Sequence, residues 1–410
     1  MHAEEEKETM ANKNRMRVGF IGLGMAGGGM VRNLAEHPDV SIVAAADKFP
    51  GPREAFARDF EGEVYEDASD LCKSPNIDFV YIATPHQFHK EHVIMAAEQG
   101  KHIIVEKPMA LTLEDCDAMI AAVDRTGVKL IIGHTHSYDP AIRTMREVIA
   151  SGELGNLGMI NTWNYTNFLY RPRRPEERDT SLGGGILFNQ VPHQVDSVRL
   201  LGGGKVKSVR SATGIWDPSR PTEGSHITFL EFEDGAAASL VYSGYDHFDS
   251  DELNGWVGEG GQARPPGQHG RNRRSLQEVK NQEEETALRT SAYAYKGLGS
   301  QGDNTADQHQ PRFGVMVVSC EGGDMRPTAD GIAVYTQDGM REMSIVPGRG
   351  LPGRGDLMDE LYNAVRHDAP LVHDGRWGKA TVEVCLAILE SSKTHKEVML
   401  NHQVSMPSLR

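Results

Sequence analysis

Short apolar runs alternate with amphipathic runs along the first third of the chain. Five runs have the length of a buried strand, and they lie at residues 17–21, 40–46, 79–83, 102–105 and 128–132. Between them, apolar residues recur at helical spacing at 30–34, 89–99 and 113–126. Strands that alternate with helices in this way predict a parallel sheet with helices on both faces.

A second pattern begins after Gly155. Strand-like runs are now joined by turns, at residues 159–168, 206–212, 227–232, 236–242 and 313–320, and a helical stretch interrupts them at 194–201. Amphipathic helices follow at 357–365 and 380–391. Successive strands joined by turns predict a mainly antiparallel sheet in a second α/β domain.

A polar segment at about 246–311 separates the last two of these strands. It is too poor in apolar residues to form a core of its own, and we interpret it as an insertion that acts as a lid, an oligomer arm or a mobile loop. A chain of 410 residues is too long for one ordinary core. We therefore divide it into a disordered tail at 1–15, a first domain at 16–140, a second domain at 141–355, and C-terminal helices with a tail at 356–410.

Composition narrows the class of protein. The formal net charge of −15 disfavours a nucleic-acid partner, and an anionic substrate would need a local cluster of positive charge. No apolar run approaches the roughly 18 residues that cross a bilayer, and the glutamate-rich N-terminus lacks the apolar stretch of a secretory signal. The four cysteines form no C-x-x-C pair, so we expect a reducing cytoplasm and neither a disulfide framework nor a metal site.

A glycine-rich turn joins the first strand to the first helix. Gly22 permits the tight turn, Gly24 lets a pyrophosphate approach the backbone, and Gly27 lets the helix pack on the strand. Met25 and Ala26 complete the turn. Because a helix N-terminus offers N–H groups and a positive dipole end to an anion, the turn predicts a dinucleotide site.

An acidic residue, Asp47, ends the second strand about twenty residues later. Its carboxylate would accept hydrogen bonds from the adenosine ribose and repel a 2′-phosphate, which favours NAD over NADP. Lys48 beside it could pair with that phosphate, so NADP is not excluded.

Polar residues also follow the later strands, at the edge where parallel sheets bind their ligands. They are Thr84, Pro85 and His89 after one strand, and Glu106 and Lys107 after the next. The proline after Lys107 keeps the lysine backbone extended and presents its side chain at a fixed strand end. We expect this group where cofactor and substrate meet, although a lysine in such a turn is, taken alone, more often a solvated surface residue.

Together these motifs resemble the Gfo/Idh/MocA oxidoreductases, the family of glucose–fructose oxidoreductase, inositol dehydrogenase and a rhizopine-catabolism protein. The resemblance covers nearly the whole chain outside the insertion. It rests on the glycine turn, Thr84-Pro85 with His89, Glu106-Lys107-Pro108, residues 149–155 and 183–187, His193 with Asp196, and residues 374–400. It implies a Rossmann domain that binds NAD(P), followed by an α/β domain with a large open sheet. The exposed apolar face of such a sheet predicts a homo-oligomer, a dimer or a tetramer.

The resemblance also implies a catalytic lysine that touches the nicotinamide, and an Asp-x-x-x-His pair. Lys107 matches the lysine and His193 the histidine, but the aspartate position holds Asn189. A neutral amide can orient a substrate hydroxyl but cannot help to carry a proton. We therefore expect Lys107 and His193 to do the acid–base work.

Two histidines at alternate positions, His134 and His136, invite a metal interpretation, because alternate residues of a strand share a face. No carboxylate or cysteine stands at ligand spacing, so we expect no metal there. We expect these histidines and Tyr138 to line the substrate cleft instead.

An arginine-rich segment follows the strand that carries Tyr165, a further residue expected in the cleft. Arg171, Arg173, Arg174 and Arg178 could reach over the site and bind the carboxylates of an anionic substrate. The glutamates among them could equally neutralise the arginines in an ordinary surface loop. The sequence leaves both interpretations open.

Within the family, the length, the insertion, the variant at 188–190 and the arginines are most similar to phthalate 4,5-cis-dihydrodiol dehydrogenases. The resemblance implies oxidation of a secondary hydroxyl on a cyclic small molecule by hydride transfer to the nicotinamide. The best substrate candidate is 4,5-dihydro-4,5-dihydroxyphthalate, a cis-dihydrodiol of an aromatic dicarboxylate. The alternatives are a sugar or inositol dehydrogenase and, from another class, a non-catalytic NAD-binding regulator.

Overall fold

The computed structural model describes residues 15–298, 309–345 and 353–407. The predicted tail at 1–15 therefore lies almost wholly outside the described residues. Part of the insertion also lies outside them.

The first sheet has six parallel strands in the order β3-β2-β1-β4-β5-β6. They are β1 (Met16–Ile21), β2 (Val40–Ala46), β3 (Glu63–Tyr65), β4 (Phe79–Ile82), β5 (His102–Glu106) and β6 (Leu130–Gly133).

Helices cover both faces of this sheet, which confirms the predicted Rossmann fold. They are α1 (Met25–Leu34), α2 (Pro50–Phe60), α3 (Ala68–Lys73), α4 (His89–Glu98) and α5 (Leu113–Thr126). Along β4, Phe79 and Tyr81 join one buried cluster, while Val80 and Ile82 join the cluster on the opposite face. A strand that is buried on both faces has a continuous apolar sequence, so β4 could be predicted from its residues.

The second domain begins with α6 (Pro140–Ser151), which the sequence analysis missed. It continues through β7 (Leu157–Tyr165), α7 (Ile186–Asn189), α8 (Val191–Leu201), β8 (Val206–Gly214), β9 (Ser225–Phe232) and β10 (Ala237–Ser243). The insertion contributes α9 (Arg271–Gln277) and α10 (Gln282–Tyr293). Then follow β11 (Val315–Cys320), β12 (Gly323–Pro327), β13 (Gly331–Thr336), β14 (Gly339–Ser344), α11 (Arg354–Arg366), α12 (Gly375–Thr394) and β15 (Val398–Met399).

The second sheet has the order β14-β13-β12-β11-β7-β10-β9-β8-β15. Strand β7 pairs with β10 in parallel, whereas the other neighbours pair in antiparallel register. One face packs on α8, which is buried along its whole length, and on α12. The mainly antiparallel sheet is thus confirmed, with β12, β13, β14 and β15 added to the predicted strands.

The described part of the insertion has no buried cluster of its own, and it is attached to the rest of the molecule. Glu177 accepts two hydrogen bonds of 2.6 and 3.0 Å from the Arg289 guanidinium on α10. Tyr295 is buried against α1, and its hydroxyl donates to Asp59 at 2.6 Å. The insertion therefore contacts both domains, which does not support a mobile loop for its described residues.

None of the helices in the described ranges combines the length and the apolar character that a membrane crossing requires.

Candidate active site

The glycine turn has the geometry that a bound pyrophosphate requires. Gly22 has a φ of 94°, and a Cβ atom there would lie 2.8 Å from the Ala83 carbonyl oxygen. A Cβ on Gly27 would lie only 2.0 Å from the Gly22 oxygen, so helix and strand pack without room for a side chain. A Cβ on Gly24 would meet nothing within 4 Å. Two of the glycines are therefore required by packing, and Gly24 faces open space.

Helix α1 begins beside that space and has no side-chain cap. Met25, in the first turn, is 51% exposed, and Ala26 is half-buried next to it. The free N–H groups at an uncapped helix N-terminus can donate hydrogen bonds to an anion. The turn therefore fits the pyrophosphate of a dinucleotide.

Asp47 lies directly beside the turn. Its carboxylate accepts the Leu23 N–H at 2.7 Å and the Phe49 N–H at 2.9 Å, which fixes its orientation at the end of β2. The Lys48 ammonium lies 5.8 Å from the centre of the Phe88 ring. A fixed carboxylate in this position suits the ribose hydroxyls of NAD.

His89 joins the two loops that follow β4 and β5. Its ring nitrogens lie 2.9 Å from the carbonyl oxygens of Thr84 and Pro108, and its side chain is fully buried. Because His89 has no exposed surface, it cannot make the predicted contact with a cofactor. It positions the two loops instead. Thr84 and Pro85 remain half-buried at the strand end, where Thr84 Oγ1 lies 3.0 Å from His92 Nδ1.

Lys107 brings the two domains together at the site. Its Nζ atom donates a hydrogen bond of 2.8 Å to the backbone oxygen of Asn189 in the second domain. Burial lowers the pKa of Lys107, the carboxylates of Glu106 and Glu259 oppose that shift, and the Arg173 guanidinium adds to it. The Tyr81 hydroxyl donates to Glu106 and fixes that carboxylate beside the lysine.

Asn189 contacts Lys107 through its backbone oxygen, whereas its side chain was expected to act in the site. Its side-chain nitrogen donates to the carbonyl oxygens of Gly183 and Gly185, at 2.9 and 2.8 Å. The amide therefore holds the glycine-rich loop in place, and its nitrogen is not available for the predicted role of orienting a substrate hydroxyl.

His193 lies in the same cleft, with 8% of its surface exposed. Its ring meets the edge of His136 at 4.8 Å and packs on Phe313 at 5.2 Å. Burial, reinforced by Lys107, His136 and His134, lowers the pKa of His193 well below its ordinary value. The imidazole is therefore neutral and suits hydrogen bonding to a substrate oxygen.

Two residues predicted to line the cleft lie outside it. His134 is 1% exposed and buried beside Asp196, and burial lowers its pKa to about 4. Tyr138 is also buried, and its hydroxyl donates to Glu360 on α11 at 2.6 Å. Strand β6 ends at Gly133, so the shared strand face inferred for His134 and His136 does not exist. Within the described ranges, no three His, Cys, Asp or Glu side chains cluster as metal ligands.

His136 belongs to a carboxylate pair that the sequence analysis missed. Its Nδ1 lies 2.8 Å from Asp139 Oδ2 and its Nε2 lies 3.2 Å from Glu259 Oε1. Although burial opposes protonation, the two carboxylates raise the pKa of His136 to about 10. Glu259 comes from the insertion, 123 residues away in the chain, and no sequence motif indicates it.

The four predicted arginines have different environments. Arg174 pairs with Glu176 and Glu177, while Arg178 binds Gln282 and the Ser219 carbonyl, so both belong to the surface of the segment. Arg173 is buried against the Phe168 ring, 3.9 Å from its centre, and donates to the Phe168 oxygen. These three arginines serve mainly to hold the segment together.

Arg171 differs from the other three. Its Nε donates to Asn167 Oδ1 at 2.9 Å, and among the described residues its terminal nitrogens have no hydrogen-bond partner. The guanidinium is close enough to Glu259 to lower the pKa of that carboxyl. Tyr165, half-buried at the end of β7, contacts Phe248 at 5.6 Å. Arg171 is therefore the arginine best placed to meet a substrate anion.

Comparisons with known proteins agree with this site. A profile described as "Oxidoreductase family, NAD-binding Rossmann fold" matches residues 16–134, and "GFO/IDH/MocA C-terminal domain" matches residues 142–263. The 1-carboxy-3-chloro-3,4-dihydroxycyclo hexa-1,5-diene dehydrogenase of Comamonas testosteroni is 42% identical over 92% of this chain and 95% of its own. The chain belongs to the Gfo/Idh/MocA family and is an NAD-dependent oxidoreductase, as predicted.

Other relatives fit the same assignment. The scyllo-inositol 2-dehydrogenase (NAD(+)) of Bacillus subtilis (strain 168) is 32% identical over 56% of this chain and 68% of its own. A protein from Bordetella bronchiseptica RB50 has a crystal structure that superposes with a TM-score of 0.89 at 48% identity, over 94% of this chain and all of the other.

Two glycine substitutions test the assignment of the turn. We expect Gly24→Ala to leave the unfolding temperature of the protein unchanged, because the added methyl meets nothing within 4 Å, while the Kd for NAD rises about tenfold. Gly27→Ala, the matched control, should lower stability by about 1–3 kcal/mol, because its methyl would overlap a backbone oxygen. Thermal unfolding and calorimetric titration with NAD measure both effects, and unchanged NAD binding in Gly24→Ala would contradict the assignment.

Proposed function

We propose that this enzyme oxidises a cyclic cis-dihydrodiol that carries a ring carboxylate. The observation that carries the proposal is that two positive groups act on the same carboxylate, Glu259. They are Lys107, which is desolvated by burial, and Arg171, whose terminal nitrogens have no hydrogen-bond partner among the described residues. The Comamonas testosteroni relative, similar over nearly both full lengths, supports the same substrate class. The dicarboxylate 4,5-dihydro-4,5-dihydroxyphthalate is the specific candidate from this class.

The proposed chemistry uses the residues of the cleft as follows. Bound NAD⁺ supplies the acceptor for the hydride that leaves the carbinol carbon. Lys107 takes the hydroxyl proton, and burial favours this role because it lowers the pKa of Lys107 and so raises the fraction of free amine. Neutral His193 orients the reacting oxygen. The resulting ketone tautomerises to an aromatic catechol, which draws the reaction forward.

Arg171 supplies the preference for an anion. A guanidinium binds a carboxylate through two parallel hydrogen bonds, and its partly enclosed position strengthens them. The other three arginines have partners in the segment or in neighbouring loops, so Arg171 is assigned to one carboxylate of the substrate.

An inositol or sugar dehydrogenase is the second candidate, favoured by the identity to scyllo-inositol 2-dehydrogenase. A polyol has no charge for Arg171 to bind, so this candidate leaves the arginine without a use. A regulator that binds NAD without turnover would leave the enclosed Lys107 unexplained.

Turnover tests the proposal directly. We expect NADH to form with carboxylated cis-dihydrodiols and to form far more slowly with inositols and sugars at the same concentration. Lys107→Ala should lower kcat about 100-fold or more, the usual contribution of a general base, with the Kd for NAD little changed. A polyol preference, or a Lys107→Ala variant that retains a tenth of wild-type kcat, would overturn the assignment.

Arginine substitutions test the carboxylate contact. We expect Arg171→Ala to raise KM for a carboxylated dihydrodiol by one to two decades, because a bound arginine–carboxylate pair contributes about 1.5–3 kcal/mol. KM for an uncharged dihydrodiol should hardly change. Arg174→Ala is the matched control, since Arg174 is paired with Glu176 and Glu177, and its KM should stay within about twofold. Equal effects of the two variants would remove the support for an anionic substrate.

We also propose that the enzyme is a homo-oligomer that works in the cytoplasm, where its four free cysteines stay reduced. The outer face of the second sheet supports the first part. Ile227, Val241, Trp163 and Val315 stand side by side across four strands, with Ile227 65% and Trp163 46% exposed. A monomer would leave this apolar row in water.

Charge placed on that row should separate the subunits. We expect the wild-type protein to be an oligomer and the double variant Ile227→Lys, Trp163→Glu to be a monomer, as measured by light scattering at micromolar concentration. Val64→Lys, at an exposed apolar position on the first sheet, should remain an oligomer. A monomeric wild type would refute the proposal.

A further inference from the structure

The insertion delivers one carboxylate into the cleft. Glu259 stands in a tight turn in which the Gly258 N–H donates to the Gln262 oxygen at 2.9 Å, and the Arg312 N–H donates to the Glu259 oxygen at 3.1 Å. Gly261 in the turn has a φ of 84°, and a Cβ atom there would lie 2.0 Å from the His309 oxygen. The backbone of the turn is therefore fixed by its surroundings, and the position of Glu259 is fixed with it.

The side chain of Glu259 lies among positive groups while remaining 43% exposed. His136 contacts it directly at 3.2 Å. Burial opposes its ionisation, but His136, Arg171 and Lys107 together lower the pKa of Glu259 to about 2. The carboxylate is therefore charged at working pH, within electrostatic range of Lys107 and Arg171. The His136 ring that it contacts meets the ring of His193 at 4.8 Å, which places Glu259 at the site.

The groups that face Lys107 come from several elements. They are Glu106, Glu259, Arg173, Cys385, His86, His134 and His193. Burial keeps the three histidines neutral, since it lowers their pKa values, and it raises the pKa of the Cys385 thiol to about 12. His136, which is protonated, also lies beside this group, but Asp139 offsets its charge at 2.8 Å. The carboxylates of Glu259 and Glu106 and the Arg173 guanidinium therefore remain to set the potential at the Lys107 nitrogen.

This balance changes when substrate reacts. The carbinol gives its hydride to the cofactor and its hydroxyl proton to the Lys107 nitrogen, so an uncharged amine becomes an ammonium. A positive charge that forms in an enclosed site needs a fixed negative charge nearby. Without Glu259, the one remaining carboxylate, Glu106, would be offset by Arg173.

We propose that Glu259 is a positioning residue that stabilises the positive charge formed at Lys107, with His136 and its partner Asp139 holding the carboxylate in place. Position 189, which carries a neutral asparagine, supplies no such charge. The carboxylate comes instead from the insertion, and Arg171 is its neighbour on the substrate side. Glu259 thus links the anion-binding arginine to the acid–base lysine.

The first experiment measures the basicity of Lys107 without substrate. In the NAD-bound enzyme, the rate of acetylation of Lys107 by trace acetic anhydride is followed across pH by mass spectrometry of its peptide. In Glu259→Gln we expect the midpoint to move to lower pH by about 1 unit, because loss of an opposite charge favours the free amine. Glu259→Asp keeps the charge and should shift the midpoint less, in the same direction, which gives a result even if Glu259→Gln folds poorly.

The matched control is Glu252→Gln. This residue lies in the same insertion, carries the same charge and contacts His269 at 2.8 Å away from the cleft. It should leave the midpoint unchanged. A midpoint in Glu259→Gln within roughly 0.3 pH units of wild type would overturn the proposal.

The second experiment is kinetic and rests on the proposed function. In Glu259→Gln, the rising limb of kcat/KM against pH should move to lower pH together with the acetylation midpoint. The plateau of kcat should fall about fivefold, since a weaker base transfers the proton less well. KM should change less than about twofold.

The two experiments separate the possible failures. If no dihydrodiol reacts, the proposed function fails while the acetylation midpoint still tests Glu259. If KM for a carboxylated dihydrodiol falls while kcat and the midpoint stay unchanged, Glu259 only competes with substrate for Arg171, and the proposal is wrong.

Discussion

The hydrogen bond from Lys107 to the Asn189 backbone oxygen is the constraint on which the site depends. The lysine stands at the end of a strand in the first domain, and the carbonyl belongs to a short helix in the second. One sheet edge cannot desolvate the Lys107 side chain by itself. The burial that lowers the pKa of Lys107 therefore requires both domains. The loops on either side are fixed by other contacts, His89 on one side and the Asn189 amide on the other.

Charge in the cleft is arranged by pairs of opposite sign. His136 is held between Asp139 and Glu259, Glu177 between Arg289 and the arginine segment, and Glu285 opposite Arg220. A buried charge without a partner is costly, so each pair also fixes the backbone that carries it. The pairs thus hold positive side chains in defined positions in a chain of net charge −15.

The sequence predicted the parts of the molecule whose chemistry is local. The glycine turn, the buried strands and the Glu106-Lys107-Pro108 turn depend on neighbouring residues, and their positions agreed with the structure. Strands β12 and β14 have no continuous apolar run and are largely exposed, so no pattern in the sequence marks them. Strand β13 does contain a buried apolar run, at residues 332–334, which the sequence analysis did not use. The strand alternation assumed for His134 and His136 fails because strand β6 ends at Gly133, before either residue. His134 and Tyr138 are instead buried away from the cleft.

The role of the arginine segment could not be read from its own residues, because its partners lie elsewhere in the chain. Glu285, Gln282 and Arg289 are all on α10, more than a hundred residues beyond the segment they bind. The composition of the insertion predicts a segment unable to form a core of its own. A segment without a core can still be ordered when it is clamped by ion pairs at one end and by a buried aromatic ring, Tyr295, at the other.

Because these contacts fix the insertion, it can hold residues of the site in defined positions. A carboxylate at the tip of a free loop would sample many positions, and its effect on a charge several ångströms away would be averaged by solvent. Glu259 avoids this because its turn is bound to the Arg312 backbone on one side and its side chain to His136 on the other. The attachment of the insertion to both domains therefore fixes the negative charge of Glu259 that acts on Lys107.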